Sequence, residues 1–182
     1  MSSPQPAHGT VRYEVDQGVA LVTLDRPDSL NSMNDELMTD LSAAFGFVAD
    51  DPGVRVVVLT GEGRGFCSGA DLRNAAPDEG GLSPEEVAAS TVQGMDDVFN
   101  PAIRAIANCP VPTVARVNGV AAGGGLGLAL TCDITIAARS AFFVATFGPR
   151  LGICPDLGTT WSLPTRVGRA RALGLTLLGD RF

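Results

Sequence analysis

The residues of this chain best suited to chemistry are two glycine-rich stretches and one carboxylate. The stretches are residues 65–72 (GFCSGADL) and 118–130 (NGVAAGGGLGLAL), and Asp156 follows them. A backbone N–H can meet a ligand oxygen only where no side chain blocks its approach, and glycine also permits the tight turn that aims it. Two such donors stabilise an oxyanion, and a nearby carboxylate can move a proton. The pattern predicts a site with two amide donors and one base.

The types of basic residue in the chain exclude several catalytic mechanisms. All 13 are arginine, and His8 is the only histidine. Without lysine, the chain has neither a Schiff-base residue nor a lysine-bearing phosphate loop. A serine–histidine–acid triad needs a histidine fixed in the core, whereas we expect His8 to be solvated in an N-terminal tail. Proton chemistry is left to carboxylates, Tyr13 and thiols.

The cysteines have no paired spacing and lie inside apolar runs. They are Cys67, Cys109, Cys132 and Cys154. We expect them to be reduced and buried, with no disulfide and no metal site.

Length and charge indicate one acidic domain. Of 182 residues, 45% are hydrophobic, which is enough for one globular core. We expect residues 1–10 to be a disordered tail and residues 11–182 to form the domain. The net charge of −7 opposes binding to nucleic acid or an anionic membrane, so a polyanionic ligand must meet local arginines. The chain shows no signal-like run and no 18 unbroken apolar residues, so we expect a soluble, cytoplasmic protein.

The apolar pattern predicts the strands that position the glycine-rich stretches. Alternation around Gly18 predicts a hairpin of residues 11–16 and 19–24. Residues 54–59 (VRVVVL) are typical of a strand buried on both faces, and the first glycine-rich stretch follows directly.

Helices alternate with these strands. A capping-box spacing from Ser32 to Asp35 opens a helix that runs to about residue 50. Residues 74–82 predict a mobile loop, after which Ser83 caps a helix that runs, with interruptions at Gly94 and Pro101, to about residue 108. The rest predicts, in order, strand 111–117, helix 123–130, strands 134–137 and 142–144, and helix 158–163. The fold class is therefore α/β with a mostly parallel sheet.

Each glycine-rich stretch also has a structural interpretation. The first is not a nucleophile elbow, since Phe66 and Ala70 stand two positions before and after Ser68, where glycines are required. It is not a dinucleotide fingerprint either, and alone it is equally typical of a strand-to-helix turn. The second places Gly123–Gly125 at the start of a helix, where free amides and the macrodipole favour an anion. Close packing of this helix on the sheet would use the same glycines.

Together these motifs resemble the crotonase superfamily, the enoyl-CoA hydratase/isomerase family, over essentially the whole chain. The resemblance rests on the turn at residues 24–31, on both glycine-rich stretches, and on residues 151–158 (LGICPDLG) with the following block to residue 171. That last block is most similar to the branch containing epoxyphenylacetyl-CoA isomerase.

The resemblance implies a spiral of ββα units in which the amides of Ala70 and Gly124 hold a thioester carbonyl. Coenzyme A would belong to the acyl-CoA substrate, so no separate cofactor is expected. The residues expected to hold the coenzyme A part are Arg26, Ser29, Leu30, Ser68, Asp71, Leu72 and Arg73. Arg64 would add positive charge nearby.

One departure from the family pattern concerns catalysis. Hydratases of the family position water with two glutamates, whose places here read as Gly127 and about Gly148. Asp156 instead falls where some family isomerases carry a single catalytic acid. A helix N-cap is the structural alternative for Asp156. The surrounding Ile153, Cys154, Leu157 and Trp161 predict a dry setting that raises its pKa.

The resemblance therefore favours double-bond isomerisation by one carboxylate. The alternatives are a 2-enoyl-CoA hydratase, with a second acid from residues 74–86, and an acyl-CoA-binding or assembly subunit without turnover. Family members continue past the position of Phe182 with a C-terminal helical part, apparently missing here, and we expect a homo-oligomer, a trimer or hexamer, where that part is present.

Overall fold

The strands of the protein form two sheets in the computed structural model, which describes residues 3–71 and 83–182. The strands are β1 (Val11–Asp16), β2 (Val19–Leu24), β3 (Val56–Gly61), β4 (Gly65–Cys67), β5 (Thr113–Val117), β6 (Val120–Ala122), β7 (Ile134–Ala137) and β8 (Phe142–Val144). The larger sheet has the order β1-β2-β3-β5-β7, and the smaller sheet has the order β4-β6-β8. Only the β1–β2 hairpin is antiparallel among the described strand pairs.

The helices follow the strands in a regular order. They are α1 (Asp35–Asp50), α2 (Pro84–Gly94), α3 (Asn100–Ala107), α4 (Gly124–Thr131), α5 (Thr159–Val167) and α6 (Arg169–Leu178). Two π-helical turns, Met95–Phe99 and Phe147–Leu151, lie between them. From β3 onward, the first strand of each strand pair joins the larger sheet and the second joins the smaller one. This arrangement is the predicted α/β spiral of ββα units.

The smaller sheet determines where a site can form. Its strands are parallel, so their carboxyl ends lie at one edge. β4 ends at Cys67, β6 at Ala122 and β8 at Val144. The glycine-rich loops that follow β4 and β6 are thereby brought together with the segment after β8.

Most sequence predictions of elements are confirmed, with a few corrections. The hairpin has the predicted bounds, and Ser83 and Glu86 form the capping box of α2. The cap of α1 was wrong: Asn34 accepts from the amide of Leu37 at 3.1 Å, while the Ser32 hydroxyl faces elsewhere, toward Asp71. The strand expected at residues 54–59 runs instead from Val56 to Gly61. None of its residues is exposed, although Val56 and Val58 are only half-buried.

The predicted tail and loop have different outcomes. From Gln5 onward the N-terminal segment makes contacts, since the amides of His8 and Thr10 bond to the buried carboxylate of Asp40 at 3.0 and 2.9 Å. The side chain of His8 is exposed, as predicted. The disorder of residues 1–10 stays a prediction. The loop predicted at residues 74–82 lies outside the described residues.

The cysteines are free thiols, and two of them are buried as predicted. Cys67 and Cys132 are fully buried, and burial raises the pKa of each to about 12. Cys109 is half-buried, and the prediction of burial was wrong for Cys154, which is exposed. The described residues hold no group of three or more histidine, cysteine or acidic side chains placed to bind a metal ion.

Candidate active site

A pocket of about 830 Å³ lies at the carboxyl edge of the smaller sheet. Its walls include Ala70, Gly124 and Asp156, the three residues that the sequence predicts for catalysis. Sequence reasoning placed only Ile153 and Leu157 of its apolar lining near Asp156. The whole apolar lining comprises Met33, Met95, Phe99, Phe147, Leu151, Ile153 and Leu157. The three residues predicted for catalysis therefore line one pocket, together with Ser68 and Asp71 of the residues predicted to hold coenzyme A.

The first glycine-rich loop leaves one amide outside its ladder. The amide of Met33 donates to the carbonyl of Gly69, and the amide of Asp71 donates to the carbonyl of Met33, both at 2.8 Å. The residue between them, Ala70, is paired with Met33 only as a bridge partner, so its own N–H lies outside these two bonds. Within the described residues, the amide of Ala70 has no backbone acceptor. It is thus available to a ligand.

The second glycine-rich loop starts a helix at the pocket. Gly123 has a φ of 52° and donates its amide to the carbonyl of Val144 at 2.9 Å. The next residue, Gly124, is the first of α4, and the amides of Leu126 and Gly127 already bond to the carbonyl of Gly123. Gly124 therefore contributes a first-turn amide, at the positive end of the helix dipole.

The two loops approach each other so closely that side chains would not fit. A methyl group built on Gly69 would lie 2.9 Å from the carbonyl oxygen of Ala122 and 3.5 Å from the amide nitrogen of Gly124. One built on Gly125 would lie 2.1 Å from the carbonyl oxygen of Cys67. The glycines thus serve both interpretations of the sequence, close packing and access to free amides.

Asp156 is a half-buried residue with one carboxylate oxygen that the fold leaves without a partner. Its Oδ1 atom is buried and has no hydrogen-bond partner in the described part of the chain. The alternative role as a helix cap is wrong, because Gly158 occupies the cap position of α5 and no side chain bonds there. Burial raises the pKa of Asp156 above its ordinary value.

The dry setting of Asp156 comes from only one of the four residues that predicted it. Only Leu157 is buried, whereas Ile153 and Trp161 are 49% and 74% exposed and Cys154 is also exposed. Residues near in sequence gave the wrong neighbours because burial depends on what packs across the fold. Leu157 instead packs against α4, as a methyl group on Gly124 would lie 2.9 Å from its Cδ1 atom.

The two positions at which family hydratases carry glutamates have no carboxylate. Gly127 faces the segment after Asp156, and a methyl group on it would lie 2.7 Å from Thr159 Oγ1 and 3.1 Å from Leu157 Cβ. Gly148 lies in the second π-helical turn. Side chains of Leu157 and Thr159 therefore occupy the space beside Gly127.

Five of the residues predicted to hold coenzyme A, here called the rim, are linked to one another by hydrogen bonds and an ion pair, and of these only Ser68 and Asp71 line the pocket. The amide of Ser68 donates to Leu30 at 3.0 Å, and its hydroxyl donates to the carbonyl of Ser29 at 3.2 Å. Arg26 forms an ion pair with Asp71 at 3.0 Å, with the two side chains 19% and 5% exposed. The charge of Arg26 is thus offset by a carboxylate. Leu72 and Arg73 lie outside the described residues.

Asn31 organises this rim, although sequence reasoning did not single it out. It adopts a left-handed φ of 56°, which asparagine tolerates better than most residues. Its side-chain amide donates to the carbonyls of Glu62 and Gly65 at 3.0 and 2.9 Å, and its Oδ1 accepts from the amide of Arg26. An asparagine at a chain reversal was the available signal.

Electrostatics at the pocket are mainly acidic. Asp35 and Glu36, in the first turn of α1, line the pocket and are exposed.

At the far end of α4, Arg166 donates to the carbonyls of Leu130 and Cys132 at 2.9 and 2.5 Å. This arginine offsets the negative end of the helix and ties α5 to α4.

Comparison with known proteins gives a consistent result. A family model described as enoyl-CoA hydratase/isomerase matches residues 14–182. A 1,2-epoxyphenylacetyl-CoA isomerase of Escherichia coli is 47% identical over 168 residues, covering 92% of this chain and 62% of the relative. A Rhodobacter capsulatus protein named "Probable enoyl-CoA hydratase" is 43% identical over 176 residues, covering 97% of this chain and 64% of the relative. The chain thus spans less than two thirds of the length of these relatives.

Solved structures agree on the fold. An enoyl-CoA hydratase from Mycobacterium avium subsp. paratuberculosis superposes with a TM-score of 0.78 at 37% identity, covering 96% of this chain and 62% of the other. One from Polaromonas gives a TM-score of 0.82 at 33% identity, covering 96% and 65%. No helix in the described ranges is long and apolar enough to cross a membrane.

Proposed function

This chain belongs to the enoyl-CoA hydratase/isomerase family, and on that premise we propose that it isomerises a double bond in an acyl-CoA thioester with Asp156 as the single base. The observation that carries the proposal is the orphaned Asp156 Oδ1 atom, in the pocket that Ala70 and Gly124 also line. A buried polar atom without a partner costs free energy. Its retention at a pocket is typical of a catalytic group.

The chemistry needs one proton and no water. In a 3-enoyl-CoA, Asp156 takes a proton from C2, and the C–H electron pair moves into a dienolate whose oxygen accepts from the amides of Ala70 and Gly124. The protonated carboxyl then returns the proton to C4, and the electrons form the conjugated 2-enoyl thioester. The base is regenerated, and atoms and charge balance.

The expected contributions to rate are substantial. One oxyanion donor is typically worth about 3 kcal/mol of barrier, and a positioned base about 10²- to 10⁴-fold. The raised pKa of Asp156 makes its carboxylate a stronger base than an exposed aspartate.

The space beside Gly127 supports isomerisation over hydration. Adding water across a double bond requires a positioned water, for which family hydratases use two carboxylates. Leu157 and Thr159 fill that space here. Asp71, another pocket-lining acid, is paired with Arg26.

The rival proposal is a 2-enoyl-CoA hydratase. It draws support from relatives that carry hydratase names and from Asp35 and Glu36 at the pocket. A hydratase would take its second acid from residues 74–86. Within that range, Glu86 is engaged in the capping box of α2. A further alternative is an acyl-CoA-binding or assembly subunit without turnover.

Side-by-side incubation of the chain with a 3-enoyl-CoA and with crotonyl-CoA separates these proposals. Isomerase function predicts conversion of the first and no hydration of the second. Hydration of crotonyl-CoA alone would establish the rival, and binding of both esters without conversion would indicate a non-catalytic subunit. A panel that includes aromatic acyl groups would then define the substrate.

Substrate binding and assembly are proposed on the same premise. Arg26, Ser29, Leu30, Ser68, Asp71, Leu72 and Arg73 would hold the coenzyme A part. The acyl group would extend along the apolar wall formed by Met95, Phe99 and Phe147. No cofactor beyond the thioester is required. We propose a cytoplasmic protein that forms a homo-oligomer, a trimer or hexamer, where the C-terminal helical part of the family is present.

A further inference from the structure

The carboxylate of Asp156 is presented by an unusual tight turn. The amide of Thr159 donates to the carbonyl of Asp156 at 2.8 Å, and the two residues between, Leu157 and Gly158, have φ values of 46° and 75°. Two successive left-handed residues are typical of a type I′ turn, which favours asparagine, aspartate or glycine at both positions. Leucine at the first position is therefore conformationally disfavoured.

The side chain of Leu157 explains why this conformation is kept. Leu157 is 6% exposed and belongs to the main hydrophobic core. A methyl group on Gly124 would lie 2.9 Å from its Cδ1, and one on Gly127 would lie 3.1 Å from its Cβ. The side chain thus packs across the first turn of α4, against the residue that supplies the proposed oxyanion donor. Strained residues persist where surrounding contacts over-determine them.

Asp156 needs such support because its side chain is not fixed by hydrogen bonds at Oδ1. Its place relative to the amide of Gly124 therefore depends on the backbone of the turn. A displacement of about 1 Å between reacting groups can cost on the order of a hundredfold in rate.

We propose that Leu157 is a positioning residue: its left-handed backbone and its contacts with Gly124 and Gly127 hold Asp156 at a fixed place relative to the oxyanion amide. This inference rests on the proposed role of Asp156 as the base. It is specific to Leu157, since a turn that only reversed the chain would be better served by asparagine or glycine.

The test compares variants that keep the turn but remove the contact. Leu157→Gly and Leu157→Asn both favour a left-handed φ, whereas Leu157→Met keeps an apolar side chain. Gln17→Gly is the matched control, because Gln17 also has a positive φ, 49°, in the distant hairpin. Leu157→Gly and Leu157→Asn should lower kcat at least tenfold with KM unchanged, and Leu157→Met should lower it less than either of them. Gln17→Gly should stay within about threefold of the parent chain.

A second readout separates this inference from the proposed function. Carbon NMR of the Asp156 carboxyl should show its pKa moving down toward the ordinary value in Leu157→Gly and Leu157→Asn, because a loosened turn hydrates the group. Unchanged titration, unchanged kcat, or a loss of kcat/KM that lies entirely in KM would overturn the role of Leu157. If the titration moves but Asp156→Asn isomerises as fast as the parent chain, the proposed function fails, and with it the catalytic importance of the turn.

Discussion

Gly69 and Gly124 bring the two glycine-rich loops into backbone contact. A methyl group on Gly69 would lie 3.5 Å from the amide nitrogen of Gly124, and Gly69 itself has a left-handed φ of 97°. The residue after Gly69 carries the other proposed donor. The parallel β4 and β6 end side by side, so this approach follows from the topology of the smaller sheet.

Gly124→Ala should damage catalysis more than stability. The new methyl group would lie 2.3 Å from Met33 Cε and 2.9 Å from Leu157 Cδ1. Met33 can move, whereas Leu157 is held in the turn after Asp156. We expect about 1–3 kcal/mol of destabilisation and a tenfold to hundredfold loss of kcat, measured by denaturant unfolding and by isomerase assay.

Gly46→Ala is the matched control for that substitution. Gly46 lies inside α1, and nothing lies within 4 Å of a methyl group built on it. It should stabilise the protein by about 0.5–1 kcal/mol and leave kcat unchanged. Equal kinetic effects of the two substitutions would show that the loss is not specific to the site.

Asp156→Asn should make stability less dependent on pH. The folded-state pKa of Asp156 is raised above its ordinary value of 3.8, so the folded chain keeps the proton longer than the unfolded chain as pH rises. The aspartate therefore begins to lower the free energy of unfolding as pH rises above 3.8, and its full effect is reached above the raised pKa. The variant should be the more stable form at pH 7, by on the order of 1 kcal/mol, with the difference vanishing below pH 3.8. A variant that is less stable at pH 7 would contradict the burial of an unpartnered carboxylate.

Gly127→Glu should not create a hydratase. The added side chain would meet Thr159 Oγ1 at 2.7 Å from its first carbon and would place a charge in a packed region. We expect destabilisation of at least about 2 kcal/mol and no hydration of crotonyl-CoA. Recovery of stability in Gly127→Glu/Thr159→Ala would support the packing explanation. Efficient hydration by the single variant would refute it.

Arg26 and Asp71 should show strong energetic coupling. Removing one partner of a largely buried ion pair leaves an uncompensated charge and typically costs about 3–5 kcal/mol. The losses in unfolding free energy of Arg26→Met and Asp71→Asn should therefore add up to more than the loss in the double variant. A double-mutant cycle by denaturant unfolding measures this, and additive effects would count against the pair. The proposed contact between Arg26 and coenzyme A is tested by comparing the KM for acyl-CoA of Arg26→Met with that of the parent chain.

Local patterns in the sequence predicted the parts of the fold that local physics controls. The hairpin around Gly18 and the cap of α2 follow from alternation and capping chemistry within a few residues. β4 and β6 were not predicted, because each is a three-residue part of a glycine-rich stretch and is defined by pairing in the smaller sheet. β8 is equally short, but its aromatic and β-branched residues Phe142–Val144 indicated a strand. For α1, Ser32 and Asn34 are both capping residue types, and the choice between them depends on Asp71, which lies 39 positions from Ser32.

The candidate site shows the same division. Residue types marked both glycine-rich loops and Asp156 as candidates, because an amide donor needs glycine and a base needs a titratable group. The preference for Asp156 as a base over a helix cap came from the family resemblance. The surroundings of Asp156 could not, since Leu157 is buried against Gly124 while Trp161, five positions from Asp156, is exposed. The Arg26–Asp71 ion pair could not be predicted either, because the two residues are 45 positions apart and meet only in the folded chain.

The most direct test of the central proposal is the rate at which Asp156→Asn converts a 3-enoyl-CoA to its 2-enoyl isomer, measured alongside its affinity for the same ester. The substitution nearly preserves shape and removes the base. We predict a loss of kcat of about 10²- to 10⁴-fold with binding unchanged. Isomerisation at the parent rate would show that Asp156 is not the base and would contradict the proposal.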